Sequence, residues 1–404
     1  MFSMVPVITA EMVPPSKYPL YSSIVSVAMA LSFLLGPLLG GAISDGTTWR
    51  WIFYINLPTA AIGLGLIYLA MPAAFPDLAS PRSLLCAPKR VNFLTQVDYP
   101  GFVALLAASV LLIVAIEEAG IAFSWDSAVV VVFLVLAGVF FLLFLGWEWS
   151  IHRRGDPNTT AQKSVFPWEF VTNRVFMGAC LTALLSGIPY TTLVLILPGR
   201  FQNLNHDSGL DAGVHLLPYT LAIAIGSSLS GVLARGRVVP ILVFLAAAIL
   251  QVLGTGLLYS IRPDTSIPAR LFGFLLLAGL GVGLSMNTAM LIVPSVVGGK
   301  NLSVALGSIT QLRILGGALG VSIATTLLNN TLRTSLQPHL PAGAVEVLMQ
   351  DVASAKMLSA MEQSLVQTAL ADGYQRQLAM VFGFLAAQLG AVGLLWERTV
   401  RRLE

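Results

Sequence analysis

The sequence predicts an all-α polytopic membrane protein with about ten transmembrane helices. Of its 404 residues, 56% are hydrophobic and only 10% are charged, whereas soluble domains carry about 25% charged residues. The mean hydropathy is +0.83. Apolar stretches of roughly 20 residues, the length at which a helix spans a bilayer, recur between short polar or Pro/Gly-rich breaks. The length of the chain therefore indicates a number of helices rather than a number of globular domains.

The spans follow from the apolar runs in chain order. They are expected near residues 20–44, 51–71, 99–118, 127–147, 172–197, 210–233, 238–259, 269–293, 302–328 and 377–396. Residues 1–10 are expected to form the last turns of an earlier helix.

The distribution of Lys and Arg predicts which loops face the cytoplasm, because cytoplasmic loops carry an excess of both residues. If the segment around Lys17 is cytoplasmic, strict alternation of the spans places most basic residues on that side, including Arg153 and Arg154. Arg50 and Arg200 then fall on the opposite side. The ten-span arrangement and the charge rule agree.

Breaks between the runs divide the chain into successive segments. The expected order is a remnant of an amino-terminal helix bundle (1–71), a cytoplasmic linker (72–98), two additional linker spans (99–147), a cytoplasmic loop (148–170), a carboxy-terminal bundle (171–329), an extracellular loop (330–375), and the last span with a cytoplasmic tail (376–404). The helical pattern from Ala344 to Leu370 is expected to form a short amphipathic cap, with ordinary loop packing as the alternative.

The sharpest local signal is the run Gly36-Pro37-Leu38-Leu39-Gly40-Gly41 in the first complete span. Glycine lets two helix backbones approach closely, and proline removes an amide hydrogen and bends a helix. The run therefore predicts a bent, closely packed helix. Taken alone, it is more typical of a generic packing face of small residues.

This run and the segment from Trp49 to Pro58 together resemble the antiporter signature and following turn of the fourteen-span drug:proton antiporters of the major facilitator superfamily. Later stretches resemble later spans of the same family, namely 98–101, 190–202, 212–218, 279–283 and 313–320. The resemblance covers nearly the whole chain. It implies a major-facilitator helical bundle and proton-coupled efflux of amphipathic small molecules such as drugs, toxins and, as in fungal members, secondary metabolites.

The resemblance also has a gap at the amino terminus. A family member would begin with three more helices and most of a fourth, including the acidic residue of the first span that the family uses in proton coupling. The chain is therefore expected to be an amino-terminally truncated carrier. Because such helices pack on one another as inverted repeats, the spans at 20–44 and 51–71 are expected to expose a packing face to lipid or to a partner chain.

Arg313 is the strongest candidate for a residue of the transport pathway. It is predicted near mid-membrane, where a charge costs several kcal/mol unless it is paired or exposed to water. Gln311 lies two positions before it, and Gly316 and Gly320 after it have the spacing of a packing face. The alternative is that Arg313 bonds to carbonyl groups and only fixes the packing of the helices.

Four further residues are weaker candidates for the substrate or proton pathway. Tyr190 and Asn287 are polar groups within or at the end of spans, able to contact a substrate or to hydrogen-bond between helices. Glu117 and Glu118 are expected at the outer end of a span, where carboxylates more often mark the interface. They are considered for a proton site because no other carboxylate is predicted to be buried.

Several function classes receive no support from the sequence. There is no G-x-x-x-x-G-K-[ST] loop, so a gradient rather than ATP is expected to drive transport. Without H-E-x-x-H, G-x-S-x-G or paired-cysteine patterns, no enzyme, cofactor or metal site is expected, and no basic run suggests nucleic acid. The alternatives are a non-transporting membrane remnant or an interaction or sensor subunit. The plasma membrane is the expected location, with the vacuolar membrane as the alternative.

Overall fold

A computed structural model describes residues 5, 8–9, 12–13, 17–70, 98–119, 123–154, 164–235, 239–261, 267–297, 301–350 and 358–396. Within these residues the long regular elements are α-helices, and nine stretches are long and apolar enough to cross a membrane. The predicted fold class, an all-α polytopic membrane protein, is therefore confirmed. Apart from Asp98, the predicted linker at 72–98 lies outside the described residues.

The helices follow the predicted order of apolar runs. They are α1 (Tyr18–Gly46), α2 (Arg50–Tyr54), α3 (Asn56–Ala70), α4 (Tyr99–Glu118), α5 (Ala128–Arg154), α6 (Trp168–Thr172), α7 (Arg174–Leu204), α8 (Gly209–Arg235), α9 (Pro240–Ser260), α10 (Arg270–Val296), α11 (Leu302–Leu336), α12 (Ala342–Gln350) and α13 (Ala360–Gly393). The nine spanning stretches are α2 with α3, and then α4, α5, α7 to α11 and α13.

The bundle is built by α7 to α11 and α13, which hold most of the buried side chains. One apolar cluster joins α7, α8, α9, α10 and α13 around Phe201, Tyr219 and Leu275. A second cluster, which includes Phe176 and Phe244, fills the end of the bundle at which α7 begins. Because lipid is as apolar as the helix surfaces, the hydrophobic effect does not drive the helices together. Close packing of their side chains and backbones is needed instead.

Glycines provide that close fit at several helix crossings, including those of α7 with α11 and of α8 with α10. A methyl group added at Gly316 of α11 would overlap the carbonyl group of Leu184 on α7. A methyl group at Gly283 of α10 would overlap the carbonyl group of Ile223 on α8. At both places the backbones are as near as the atoms allow, which fixes the positions of polar side chains on the same helices.

Helices α2 to α5 pack less closely on this bundle, whereas α1 lies directly against α8. α4 and α5 pack against each other, and the Thr326 hydroxyl on α11 donates to the Ile116 carbonyl on α4 over 3.0 Å. α2 and α3 contain no buried residue, and Tyr68 is 87% exposed. An apolar face is therefore uncovered by the described part of the chain.

Segment 330–375 differs from the predicted extracellular loop, because most of its described part is helical. α11 continues to Leu336, and α13 begins at Ala360 rather than near 377. Ser359 and Glu362 form a capping box that starts α13, which satisfies backbone groups at the helix end. Buried side chains such as Val366 pack in one cluster with Leu336. The pattern from 344 to 370 thus belongs to two helices, α12 and the start of α13, and not to one cap.

Candidate functional site

Arg313 lies inside the bundle between α7, α10 and α11. Its side chain is 7% exposed, and Nη1 donates to the Met286 carbonyl of α10 over 3.3 Å. The Tyr190 side chain of α7 is close enough to interact with it electrostatically. The ion pair found among the described residues is Asp207 with His215, so no described carboxylate lies within 4 Å of the guanidinium. Arg313 is a buried donor whose bond to the protein is a long one, since such bonds usually measure 2.7–3.2 Å.

Gln311 and Asn287 are two other residues that were predicted for the transport pathway. Gln311 is exposed although Arg313 is buried, because two residues along a helix point to nearly opposite sides. Asn287 is buried and donates from Nδ2 to the Ser227 carbonyl of α8 over 2.8 Å. The Thr288 hydroxyl donates to the Leu284 carbonyl of its own helix over 2.7 Å, and it also lies 3.3 Å from the Ser230 hydroxyl of α8. These two side chains join α10 to α8, which is the interhelical role considered from the sequence.

The Gly36–Gly41 run forms the contact between α1 and the bundle, but only part of it is used. A methyl group at Gly41 would overlap the backbone of Gly209 at the start of α8, and one at Gly213 would overlap the Pro37 carbonyl. Gly36 and Gly40 have open space beside them. Helix phase explains this difference, because residues 37 and 41 are one turn apart on the same face.

Asp45 extends the same face by one more turn and was not singled out in the sequence. Its carboxylate accepts hydrogen bonds from the backbone amides of Gly209 over 3.1 Å and Leu210 over 2.8 Å. Amides at a helix start have no partner within the helix and favour a negative charge. Asp45 thus caps α8 from another helix. The signal that could have found it is the i, i+4 spacing from Gly41.

Arg200 is a second buried guanidinium. α7 continues through Pro198 to Leu204, so Arg200 sits in the helix and is 3% exposed. Its Nε and Nη1 atoms have no hydrogen-bond partner among the described residues. Tyr374 of α13 lies close enough to interact with it electrostatically, and the Tyr374 hydroxyl accepts a 2.8 Å bond from Asn203.

A cavity of about 150 Å³ opens beside Tyr374 between α7, α11 and α13. Thr192 and Gln377 line it, and the Thr192 hydroxyl and the Gln377 carbonyl oxygen have no hydrogen-bond partner in the described part of the chain. Buried polar atoms in a space of this size are typically satisfied by water or a small polar group. The cavity is therefore a mostly apolar pocket that contains a few polar atoms without partners, and Arg313 is not among the residues that line it.

Glu117 and Glu118 end α4, the first exposed and the second partly buried. The premise that no carboxylate is buried elsewhere is wrong, because Asp98 is 1% and Glu148 2% exposed. Asp98 accepts from the Trp147 indole over 2.8 Å, and Glu148 accepts from a hydroxyl and a backbone amide that precede α6. Both carboxylates are surrounded by donors where α4, α5 and α6 meet, which the sequence does not reveal.

Comparisons with known proteins agree with this architecture. Residues 1–125 and 100–321 match the sequence profile of the Major Facilitator Superfamily. The chain is 35% identical over 402 residues to MFS-type transporter FPY5 of Fusarium mangiferae, covering 99% of this chain and 66% of that protein. It is 28% identical over 342 residues to Efflux pump roqT of Penicillium rubens, covering 84% and 60%. The chain thus spans about two thirds or less of the length of these relatives.

A solved structure shares the fold. It is the crystal structure of a bacterial homologue of the human lysosomal transporter Spinster, described as inward-facing and occupied. The TM-score is 0.51 at 14% sequence identity, and the match covers 98% of this chain and 75% of that one.

Proposed function

Because the chain belongs to the Major Facilitator Superfamily, we propose that it exports amphipathic small molecules, such as secondary metabolites, in exchange for protons. The family predicted from the sequence is confirmed, with relatives that are fungal transporters and efflux pumps. The superfamily consists of membrane transporters and not of enzymes. Proton exchange, the substrate class and the direction of transport are the proposed part.

The observation that carries the proposal is the contact between α1 and α8. Pro37 and Gly41 bring α1 against the backbone of the bundle, and Asp45 adds two hydrogen bonds at the end of that contact. Carriers of this kind expose a central site to each side in turn by rocking one helix group against the other. The contact between α1 and α8 can close tightly because the two backbones touch. It can also open readily because few polar bonds hold it.

Arg313 supplies the binding chemistry in this proposal. Its bond to the Met286 carbonyl is long, so an acceptor group of a bound molecule can replace that carbonyl at little cost. A guanidinium keeps its charge and offers several donors in one plane. Tyr190, close to Arg313 on α7, adds an aromatic surface for an amphipathic substrate.

The test is efflux of a fluorescent amphipathic compound from cells that express the chain, with and without a protonophore. We expect protonophore-sensitive efflux that Arg313→Met abolishes. Arg270→Met, which alters an exposed arginine at the start of α10, is the matched control and should leave efflux unchanged. Efflux that ignores the protonophore would refute proton coupling. Fluorescence imaging of a tagged chain distinguishes the plasma membrane, which we propose as its location, from the vacuolar membrane.

The exposed faces of α2 and α3 favour a second candidate, an interaction or sensor subunit that does not transport. An apolar helix surface without cover is available to another membrane chain. Correct membrane insertion without efflux of any tested compound, together with cross-linking from Tyr68 to another protein, would support this candidate over the carrier.

A further inference from the structure

A groove of about 420 Å³ runs along the outer surface of α5. It is lined by Val139, Leu142, Leu143, Gly146, Trp147 and Ser150. Leu142 is 67% exposed, and a side chain added at Gly146 would meet nothing within 4 Å. The groove is therefore an open, shallow and mostly apolar strip on a single membrane-spanning helix.

The length of the groove corresponds to one leaflet. Val139 and Ser150 are separated by about 16 Å along a helix that rises 1.5 Å per residue, and half of a hydrocarbon core measures about 15 Å. α5 ends at Arg154, one turn beyond the groove. An acyl chain lying in the groove would thus place its headgroup at the level of the last turn of α5.

That last turn is basic, and both of its arginines lie over indole rings. The Arg153 guanidinium lies over the Trp149 ring at 3.8 Å from its centroid, and the Arg154 guanidinium lies over the Trp147 ring at 5.8 Å. Stacking on an indole fixes the guanidinium plane, and guanidinium binds phosphate through paired hydrogen bonds. Trp147 is held in turn by its 2.8 Å bond to Asp98, and it forms both a wall of the groove and the support of Arg154.

We propose that this groove binds one anionic glycerophospholipid of the cytoplasmic leaflet. An acyl chain lies against Leu142, Leu143 and Gly146, and the phosphate is held by Arg153 and Arg154. The charge rule predicts a cytoplasmic end for α5, and the cytoplasmic leaflet carries the anionic lipids of a membrane. The groove and the two stacked arginines are continuous through Trp147, so a single lipid can occupy both.

The chain contains matched positions that separate this site from general lipid contact. Gly146→Leu fills the groove, whereas Gly138→Leu alters the same helix at an equally open glycine that does not line the groove. Arg153→Gln with Arg154→Gln removes the headgroup ligands. Arg50→Gln is the control for charge, because Arg50 also stacks on an indole, 4.9 Å from the centroid of Trp49, but is not among the residues that line this groove.

The experiment is native mass spectrometry of the purified chain in detergent, titrated with phosphatidylinositol or phosphatidylcholine. We expect one phosphatidylinositol to bind at least tenfold more tightly than phosphatidylcholine. The double arginine variant should weaken phosphatidylinositol binding about thirtyfold, the effect of losing two cationic contacts. Gly146→Leu should weaken both lipids about tenfold or more, because part of the acyl chain loses its burial, and both controls should stay within twofold of the wild type.

Two results would overturn the proposal. Equal binding of the two lipids to the wild type would show that the arginines do not select an anionic headgroup. Equal behaviour of Gly146→Leu and Gly138→Leu would show that the groove does not hold the chain. Circular dichroism and thermal unfolding of every variant verify that a loss of binding does not come from a loss of fold.

Discussion

Replacing Gly316 by alanine tests whether α7 and α11 are held by direct backbone contact. The new methyl group would overlap the carbonyl oxygen of Leu184 and lie 3.2 Å from its Cα atom. The atoms in the way belong to the main chain, so no side-chain rotation relieves the overlap and the two helices must separate. Overpacking of this kind costs about 1–3 kcal/mol. We therefore expect Gly316→Ala to lower the free energy of unfolding by that amount.

The same change at Gly307 has the opposite expected sign. Gly307 lies nine residues earlier on α11, and an added methyl group meets nothing within 4 Å. Alanine favours a helix interior over glycine by about 0.8–1.0 kcal/mol, so Gly307→Ala should raise the free energy of unfolding. The difference between the two variants is then roughly 2–4 kcal/mol.

The assay is unfolding of each purified variant in one detergent, followed by tryptophan fluorescence against denaturant. Both variants carry the same added methyl group on the same helix, so differences in hydrophobicity and detergent binding largely cancel. A stability of Gly316→Ala equal to or above that of Gly307→Ala would refute the close crossing of α7 and α11.

Three further substitutions test other features with the same unfolding assay. Arg313→Met should leave the free energy of unfolding unchanged or raise it, because a charge without a paired carboxylate is removed from the membrane interior; a large loss would make the role of this arginine structural. Asp45→Ala should lower it by about 0.5–2 kcal/mol because two backbone amides of α8 lose their cap, whereas Asp126→Ala, in an exposed loop, should change it by less than about 0.5 kcal/mol. Glu148→Ala leaves a backbone amide without its acceptor and should lower the free energy of unfolding by about 1–3 kcal/mol. Glu117→Ala, at an exposed position, is the control, and equal effects of the two changes would contradict the burial of Glu148.

The apolar runs were sufficient to predict most spans, because the bilayer imposes a length and a composition on each of them. They were weaker at predicting where helices end. α7 runs seven residues past its predicted end at 197 because Pro198 is accommodated within the helix. α13 begins early because a capping box and a buried apolar stripe offset its many polar residues.

The candidate site was harder to predict, because the partner of a side chain is set by the packing of helices that are distant in sequence. The Gly36–Gly41 run indicated close packing, yet only the position of α8 decides that Gly41 is used and Gly40 is not. The burial of Arg200 has no local signal, because it results from the approach of α13. Pairs such as Asn287 with Ser227 likewise need both helices in place.

The glycine contacts inside the bundle and those between α1 and α8 have different surroundings. This difference suits a carrier in which α1 moves relative to the bundle. Within the bundle, the α8–α10 crossing is accompanied by buried bonds such as that from Asn287, which have no water to replace them when broken. Between α1 and the bundle, the bonds to Asp45 are exposed, so water can take over both amides as the contact opens. Together these two exposed bonds are expected to contribute only about 0.5–2 kcal/mol. The bundle is thereby expected to move as a rigid unit, while its contact with α1 opens and closes at low cost.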